Sequence, residues 1–364
     1  MKTAEKLLDY LESLKPKKFS VVVMPDFFLD RFVSLEHTLP QFCNILEKSI
    51  SRKGGALDGY KQFEFRGGNA VNTAAALAAL GAKVYPIIHT SKLGKQLIKY
   101  YLEPLNVGLS YIDSSGRLSI TTALEFPSEN GKINVMLRDL GSLEDFGPAN
   151  LTEREYELIE KSDYVCVFNW AGTRRYGTEL AKNVFQHVKN RGKGKTYYDP
   201  ADPSPNKEKI PQLVKEVLLS DLVDVLSLNE NEAVCYGSQM EPEIANKVGK
   251  VKLEELAMEA AETIAKHVKS RIDLHTTVFS ASFKSETKTV VPAFNVKVLR
   301  ATGAGDAWNA GNIFADFHNF PDDIRLTFAN AVAAYYISNP EAKHPTLKNL
   351  ESFCRRILGN EKTC

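Results

Sequence analysis

The sequence lacks the features of a membrane, secreted or metal-cluster protein. No stretch approaches the ~20 consecutive apolar residues that a membrane-spanning helix needs. The five cysteines are odd in number, scattered and never in Cys-x-x-Cys spacing, which argues against a disulfide framework or a zinc site. Residues 1–18 lack the apolar core of a signal peptide and are predicted to form a helical extension. We therefore expect a cytoplasmic protein with no membrane partner.

An excess of charge of either sign is also missing. Lys and Arg number 46 against 45 Asp and Glu, so the net charge of +1 gives no general attraction to nucleic acid. Hydrophobic residues make up 43% and charged residues 25%, the balance of a soluble globular protein. A chain of 364 residues is long enough for one large domain with a small appendage, or for two ordinary domains.

Short β-rich runs alternate with helical patterns along most of the chain, which predicts a mainly parallel sheet covered by helices. The predicted strands are Phe19–Met24, Lys83–Ile88, Tyr164–Phe168, Thr196–Asp199 and Val225–Leu228. The predicted helices are Asn72–Leu80, Glu179–Lys189, Leu253–Val268, Asp306–Phe317, Asp322–Ser338 and Leu347–Ile357.

Two segments interrupt this alternation, at about residues 42–65 and 109–138. In the second, Asn130 and Gly131 separate two alternating runs, which is a strong signal for a β-hairpin. We interpret both segments as a small β lid inserted into one α/β domain of residues 19–364. The exposed edge of such a lid could pair with a second copy, so we expect a homodimer.

A glycine motif near the C-terminus is the most informative part of the sequence. A β-like run ends at Ala301, Gly303, Ala304 and Gly305 follow, and a helix begins near Asp306. Glycines allow a ligand to approach the backbone closely, and the first amides of a helix attract anions. A carboxylate would repel a bound phosphate, unless it accepts a proton from an attacking hydroxyl while the amides hold the phosphoryl group. The alternative is a glycine-rich turn in which Asp306 only caps its helix.

Other nucleotide-binding motifs fit less well. Trp308 occupies the third glycine position of a dinucleotide-binding G-x-G-x-x-G, which disfavours an oxidoreductase. Gly194, Lys195 and Thr196 look like the end of a P-loop, but Lys189 stands where its first glycine belongs. That segment also follows a helix and enters a strand, the reverse of the order that a P-loop requires.

The run from Thr302 to Ala307 resembles the signature of the ribokinase-like (PfkB-type) carbohydrate kinases. The resemblance implies a doubly wound sheet with a β lid, and a kinase in which Asp306 is the base and Gly303, Ala304 and Gly305 supply amides to the phosphoryl group. It also implies Mg²⁺ as cofactor, ATP as the expected phosphoryl donor, and a small sugar-like acceptor.

Two further segments resemble the acceptor-binding motifs of the family. Residues 24–32, MPDFFLDRF, are similar to its x-G-D-x-x-L-D-R-Y variant, which implies that Asp30 binds acceptor hydroxyls, with Asp26 as a second candidate. Residues 66–72, RGGNAVN, resemble G-G-x-x-x-N, which implies acceptor contacts from Gly67, Gly68 and Asn72. An exposed turn and a purely structural double glycine are the respective alternatives.

A third segment resembles the N-x-x-E motif that positions Mg²⁺ and phosphates, often through water. It consists of Asn229 and Glu232 directly after a predicted strand. Residues three apart share a helix face, so both side chains can present oxygens to one cation. A polar helix start is the alternative.

The nucleotide side departs from the family pattern. By position in the resemblance, the nucleotide-binding candidates are Thr302, Gly303, Gly305, His275, Thr276 and Asn330. The glycines of the family's G-S-x-G loop are missing at residues 275–278, which leaves ADP open as the donor. Arg300 replaces the Asp of D-T-x-G-A-G-D. Many relatives are activated by K⁺ bound beside that loop, and we expect no such activation here.

The acceptor is the least determined part of the sequence interpretation. Arg31, Arg66 and Arg138 flank the acceptor motifs or the lid, and a guanidinium suits a phosphate already on the substrate. We include Arg138 among the acceptor-binding candidates. A free sugar or polyol, a phosphorylated sugar and a nucleoside all remain open, and the rival from another class is a sensor that binds these ligands without turnover.

Overall fold

A computed structural model of the protein describes residues 2–128 and 131–361. Its strands are β1 (Ser20–Met24), β2 (Phe28–Ser34), β3 (Gln62–Gly67), β4 (Lys83–Pro86), β5 (Ile88–His89), β6 (Ile112–Asp113), β7 (Ser119–Ser128), β8 (Gly131–Asp139), β9 (Tyr164–Phe168), β10 (Lys195–Asp199), β11 (Val225–Leu228), β12 (Arg271–His275), β13 (Phe279–Lys284) and β14 (Thr287–Pro292).

Its helices are α1 (Lys2–Ser13), α2 (Leu39–Ser51), α3 (Asn69–Ala79), α4 (Lys92–Leu102), α5 (Glu153–Lys161), α6 (Gly177–Arg191), α7 (Ile210–Leu213), α8 (Glu230–Met240), α9 (Leu253–His267), α10 (Ala304–Phe317), α11 (Asp322–Ser338) and α12 (Leu347–Glu361). In the part of the chain that these ranges cover, no helix is long and apolar enough to cross a membrane.

The largest sheet has eight strands in the order β14-β13-β12-β11-β10-β9-β1-β4. The six strands from β12 to β4 pair in parallel, whereas β13 and β14 extend the edge in antiparallel fashion. Each of the five strands predicted from β-rich runs lies in this sheet, although the run at Lys83–Ile88 ends its main-sheet part at Pro86 and continues as β5.

Helices cover both faces of the main sheet. In β1, Val21 and Val23 belong to the apolar core that includes residues of α3, α10 and α11, whereas Val22 and Met24 belong to the core on the other face, which includes residues of α6, α8 and α9. Burial on both faces explains why this strand reads as an uninterrupted apolar run. The predicted doubly wound α/β fold is confirmed.

A separate four-stranded sheet, the lid, has the order β3-β2-β7-β8. Its bounds differ from the predicted insertions, because Phe28–Ser34 also belongs to it and Leu39–Ser51 is helical. Strand β2 mixes charged and apolar residues, so its sequence does not predict a strand. It forms a strand because it pairs with β3 and β7. Leu109–Tyr111 is a short 3₁₀ turn outside the lid.

The predicted hairpin joins β7 to β8. These strands pair in antiparallel fashion from Ile120 and Asp139 as far as Ser128 and Gly131. Glu129 and Asn130, at the tip of the predicted turn, lie outside the described residues.

Candidate active site

Four buried carboxylates meet beyond the carboxyl ends of the parallel strands. Asp26 follows β1, Asp199 ends β10, Glu232 lies in the first turn of α8 after β11, and Asp306 lies in the first turn of α10. This edge is where ligands bind in doubly wound sheets. The carboxylates influence one another, since Asp199 and Asp26 both help to raise the pKa of Asp306.

Asp306 is held by two asparagine side chains of α3. Asn69 donates to its Oδ1 and Asn72 to its Oδ2, each at 2.9 Å. Burial raises the pKa of Asp306 to about 8, and the two amide bonds oppose this rise only in part. A carboxylate with such a pKa is a stronger base than a solvent-exposed aspartate, which suits removal of a proton from a hydroxyl.

The glycine turn before α10 has a backbone that only glycine adopts easily. Gly303 has φ of +84°, and a Cβ at this position would lie 2.8 Å from the hydroxyl oxygen of Tyr336. The amide of Ala304 donates to the carbonyl of Ala301 at 3.2 Å. In this conformation the tight turn uses that amide internally, and the predicted contact of Ala304 with a phosphoryl group stays a prediction.

Asn72 has a role in addition to the predicted one. Its side-chain nitrogen donates to Asp306, and its Oδ1 accepts from Nε of Arg66 at 3.0 Å. Both ends of the amide thus each make one bond to a protein group, so Asn72 positions the carboxylate, and its predicted contact with the acceptor stays a prediction. Asn69 was missed because it occupies a variable position of the motif, although its spacing of three residues from Asn72 places it on the same helix face.

A cavity of about 170 Å³ lies between the lid and the main domain. Its polar lining includes Asp26, Asp30, Asn69, Asn169, Thr121, Arg138 and Thr302, and its apolar lining includes Phe28, Phe32, Ala123 and Met136. The structure therefore brings the predicted acceptor residues of β2 and β8 together with Asn69, which contacts Asp306. On the lid strands, polar and apolar lining residues alternate on one face of the sheet, which suits a small polyol.

The two glycines of the RGGNAVN motif allow close packing next to this cavity. A Cβ on Gly67 would collide with the carboxylate of Asp30. Gly68 has φ of +99°, and a Cβ there would lie 2.9 Å from the carbonyl oxygen of Asp26. Burial raises the pKa of Asp30, and a hydrogen bond from Thr121 opposes the rise.

Asp26 caps helix α3. Its carboxylate accepts from the backbone amides of Asn69 at 2.9 Å and Ala70 at 2.8 Å, and from the side chain of Asn169 at 2.8 Å. These bonds satisfy two of the free amides at the helix start and fix the helix that carries Asn69 and Asn72. Asp26 thus has a structural role in addition to lining the cavity.

Three of the predicted nucleotide residues, His275, Thr276 and Asn330, do not line the acceptor cavity, whereas Thr302 does. His275 ends β12, its ring lies 4.8 Å from the ring of Trp308, and burial lowers its pKa to about 4. Thr276 closes a turn with Phe279, since its hydroxyl donates to the Phe279 carbonyl at 2.8 Å. Asn330 accepts from Trp308 at 2.9 Å and donates to the Pro292 carbonyl at 3.0 Å, so it ties α11 to the sheet edge.

Asn229 and Glu232 form a reciprocal cap at the start of α8. The Asn229 backbone donates to Glu232 Oε2 at 2.9 Å, and the Glu232 backbone donates to Asn229 Oδ1 at 3.0 Å. Burial, followed by the charge of Asp199, raises the pKa of Glu232 well above its usual value. The capping role weighed from the sequence is present, and it leaves the carboxylate next to Asp199.

The set of carboxylates fits a divalent cation held through water. In the described part of the chain, no three His, Cys, Asp or Glu side chains converge closely enough to ligate a metal directly. Each of the four buried carboxylates accepts from a neutral side-chain amide, those of Asn169, Asn309, Asn229, and the Asn69–Asn72 pair. A divalent cation bound near these carboxylates would add positive charge to a cluster whose hydrogen-bond partners are mainly neutral amides.

Solved structures with the same fold cover nearly the whole chain. The ribokinase of Arabidopsis thaliana complexed with ribose and ATP is 18% identical over 93% of this chain and 99% of that one, with a TM-score of 0.70. The adenosine kinase of Sinorhizobium meliloti is 16% identical over 93% and 99%, with a TM-score of 0.69. A putative ribokinase II from E. coli in complex with ATP and Mg²⁺ is 14% identical over 93% and 100%, with a TM-score of 0.67.

A curated relative matches only a small segment. The short-chain dehydrogenase/reductase prx1 of Penicillium rubens is 37% identical over 76 residues, which are 21% of this chain and 22% of that protein. The chain thus spans less than a quarter of the length of that relative.

The family model described as pfkB family carbohydrate kinase matches residues 45–349, which include the glycine motif, Asp306 and the Asn69–Asn72 pair. That match covers most of the sequence and includes strands of both the lid and the main sheet, although β1 and β2 precede it. The chain belongs to the pfkB family of carbohydrate kinases.

Proposed function

We propose that the protein transfers the terminal phosphate of a nucleotide, with ATP as the expected donor, to a hydroxyl of a small sugar-like acceptor. The observation that carries the proposal is the placement of Asp306. This carboxylate is buried, has a raised pKa, follows a glycine turn at a helix start, and touches Asn69, which lines the cavity between lid and domain.

The acceptor would be held by the lid and the main domain together. Asp30 would accept hydrogen bonds from two neighbouring hydroxyls of the substrate, since an ionised carboxylate binds two such donors well. The apolar lining residues Phe28, Phe32 and Met136 would cover the hydrocarbon face of the acceptor. A lid that closed over the bound acceptor would also exclude water, which otherwise competes as the phosphoryl acceptor.

Asp306 would take the proton of the attacking hydroxyl as the oxygen bonds to phosphorus. Asn69 and Asn72 hold both oxygens of its carboxylate, so that its position is fixed before the acceptor arrives. The amides of Gly303 and Gly305, at the positive end of α10, would hold the phosphoryl oxygens. No side chain of this proposal needs to form a covalent phosphoenzyme, and transfer is direct and in line.

Mg²⁺ would be held by Glu232, Asn229 and Asp199 through water, and when bound it neutralises the phosphate charge. The support from this chain is that Asp199 and Glu232 are buried next to each other, and that neither forms an ion pair with a cationic side chain of the described residues. Burial raises the pKa of Asp199 to about 6, so the cluster binds protons readily when no metal is present.

A homodimer through the lid is part of the proposal. Strand β8 is the edge of the lid, and its side chains Ile133, Val135, Met136 and Leu137 are about half exposed. An exposed apolar edge strand is a ready surface for another chain. Light scattering after gel filtration tests this, with Leu137→Lys as the variant expected to give monomers.

The activity is tested with a matrix of sugars, polyols, sugar phosphates and nucleosides against ATP, ADP and GTP, in which nucleotide conversion is measured. Conversion that depends on one acceptor class supports the proposal. Stoichiometric acceptor binding without nucleotide conversion in any combination would contradict it and indicate a sensor.

A further inference from the structure

The three arginines that the sequence predicts near the acceptor have different contacts in the structure. Arg31 forms an ion pair with Glu64 at 2.7 Å on the lid. Arg66 donates to Asn72 and lies 3.1 Å from Nε2 of His344. The side chain of Arg138, in contrast, forms neither a hydrogen bond nor an ion pair with any residue in ranges 2–128 and 131–361.

Strand pairing places Arg138 on the acceptor side of the lid. Asp30 pairs with Thr121, and Thr121 pairs with Arg138, so the three residues form one row across β2, β7 and β8. Residues in one row of a sheet point to the same face. All three line the cavity described above.

A ring contact holds the guanidinium at this position. Its carbon lies 5.0 Å from the ring centre of Phe28, which also lines the cavity. The positive charge reaches into the site, because it lowers the pKa values of Asp26 and Asp30 and so opposes the larger effect of burial. The five donors of the guanidinium nevertheless remain available to a ligand.

We infer that the acceptor is a small polyol with an anionic group, a phosphate or a carboxylate, which Arg138 binds while Asp30 binds a hydroxyl. The inference rests on the proposed function and specifies its substrate class. The carboxylates of Asp26 and Asp30 would repel an anion in this cavity. The Arg138 guanidinium offsets that repulsion on the side of the cavity where it lies. The planar guanidinium matches the paired oxygens of either anion.

The row of residues also gives the orientation and size of the acceptor. Arg138 belongs to the lid, whereas Asn69 and Asp306 belong to the main domain, so the anionic group would lie toward the lid and the reacting hydroxyl toward Asp306. The cavity volume of about 170 Å³ is below the ~300–1,000 Å³ of pockets for drug-sized ligands. A single sugar-sized molecule suits that volume.

The test uses ribose and myo-inositol as neutral probes, gluconate as a carboxylate, and ribose 5-phosphate and fructose 6-phosphate as phosphates. Binding is measured by calorimetry without nucleotide, and turnover is measured with MgATP. The full-length wild type is compared with Arg138→Gln and with the matched control Arg31→Gln, which removes a charge from the same lid but not from the cavity.

We expect at least one anionic probe to bind and react better than the neutral probes. Arg138→Gln should weaken its binding by about 10-fold to 100-fold, as expected for loss of charged hydrogen bonds, whereas Arg31→Gln should change it less than about twofold. Melting curves of all three proteins check that the variants are folded. The carboxylate and phosphate arms show which anion Arg138 binds.

The outcomes separate this inference from the proposed function. Turnover of neutral probes that is unaffected by Arg138→Gln overturns the inference and leaves the kinase proposal intact. Binding of an anionic probe that depends on Arg138, without turnover with any nucleotide, supports the inference and contradicts the kinase proposal. If no probe shows binding or turnover that depends on Arg138, the inference is wrong.

Discussion

The side-chain amide of Asn72 donates to Oδ2 of Asp306 at 2.9 Å, and this bond can form in only one orientation of the amide. Arg66 sets that orientation, because its Nε donates to the Asn72 oxygen at 3.0 Å and thereby directs the nitrogen to the carboxylate. A guanidinium thus acts on the proposed base through a neutral amide. The carboxylate is oriented without the direct ion pair that would make it a weak base.

Replacement of Asp306 by Asn should abolish most turnover. We expect kcat to fall by about 10²–10⁴-fold, the usual contribution of a positioned general base, while nucleotide affinity changes little. Steady-state kinetics and nucleotide binding are measured on the same preparation. Near-normal turnover in the variant would remove Asp306 from the mechanism.

The pH dependence of turnover should report the bond from Asn72. Burial raises the pKa of Asp306 to about 8, and the bonds from Asn72 and Asn69 lower it. The base is active when deprotonated, so kcat/KM should rise with pH, and Asn72→Ala should move this rise to higher pH. Asn190→Ala, on the exposed side of α6, is the control and should leave the profile unchanged.

A loss of rate in Asn72→Ala that is the same at every pH would indicate a packing role alone. A shift of the profile to lower pH would contradict the assignment, because removal of a donor cannot stabilise the ionised carboxylate.

The same carboxylate should lower the stability of the fold at neutral pH. The pKa of Asp306 is raised to about 8 in the folded chain from 3.8, so the folded state binds the proton more tightly than the unfolded state. Its contribution to stability is therefore lost as the pH rises through this range. Asp306→Asn should be more stable than wild type by about 1–3 kcal/mol at pH 8, after allowance for altered bonds to the asparagines.

Urea unfolding of both proteins at pH 5.5 and pH 8 measures this difference. The advantage of the variant should be larger at pH 8. An advantage that shrinks as the pH rises would contradict the raised pKa.

Local patterns in the sequence predicted the parts of the fold that depend on local chemistry. The strand Tyr164–Phe168 is buried along its whole length, so its apolar run marks it directly. The start of α10 was predicted because two glycines precede a helical pattern at Asp306. Both features need only a short stretch of chain to be visible.

Structural features that depend on residues far apart along the chain could not be predicted from local sequence patterns. Strand β2 forms only because Gln62–Gly67 and Ser119–Ser128 pair with it on its two sides. The role of Asn72 depends on Arg66 and on Asp306, which is 234 residues away along the chain. Sequence patterns place Asn72 at the site but cannot show that both ends of its amide are occupied.

Removal of divalent cations should abolish activity, and Mg²⁺ or Mn²⁺ should restore it, because the phosphate charge must be neutralised. Glu232→Gln should raise the Mg²⁺ concentration needed for half-maximal rate, since the variant lacks the negative charge beside Asp199. Glu216→Gln, on the surface beside Lys182, is the control with the same change of charge. Identical Mg²⁺ curves for Glu232→Gln and wild type would show that Glu232 does not contribute to the metal site.

The final prediction concerns Arg300 and monovalent cations. Its guanidinium donates to the carbonyl of Pro340 at 2.9 Å, and the neighbouring Leu299 amide donates to the Ile337 carbonyl at 2.9 Å. The segment before the glycine turn is thereby tied to the segment after α11 by a permanent positive charge. A second guanidinium is close, because both Arg66 and Arg300 lower the pKa of Tyr336 and oppose the effect of burial.

A monovalent cation needs oxygen ligands, whereas Arg300 has five donors and no acceptor. Many relatives with Asp at this position are activated by K⁺. Here the Arg300 guanidinium binds the Pro340 carbonyl and supplies a positive charge where those relatives bind K⁺. Turnover at saturating Mg²⁺ should therefore be equal in K⁺, Na⁺ and tetramethylammonium chloride at the same ionic strength. Arg300→Asp should create a dependence on K⁺, and Lys297→Asp, an exposed site with the same change of charge, should not. Activation of the wild type several-fold by K⁺ over tetramethylammonium would show that carbonyl oxygens alone bind the cation and that Arg300 does not replace it.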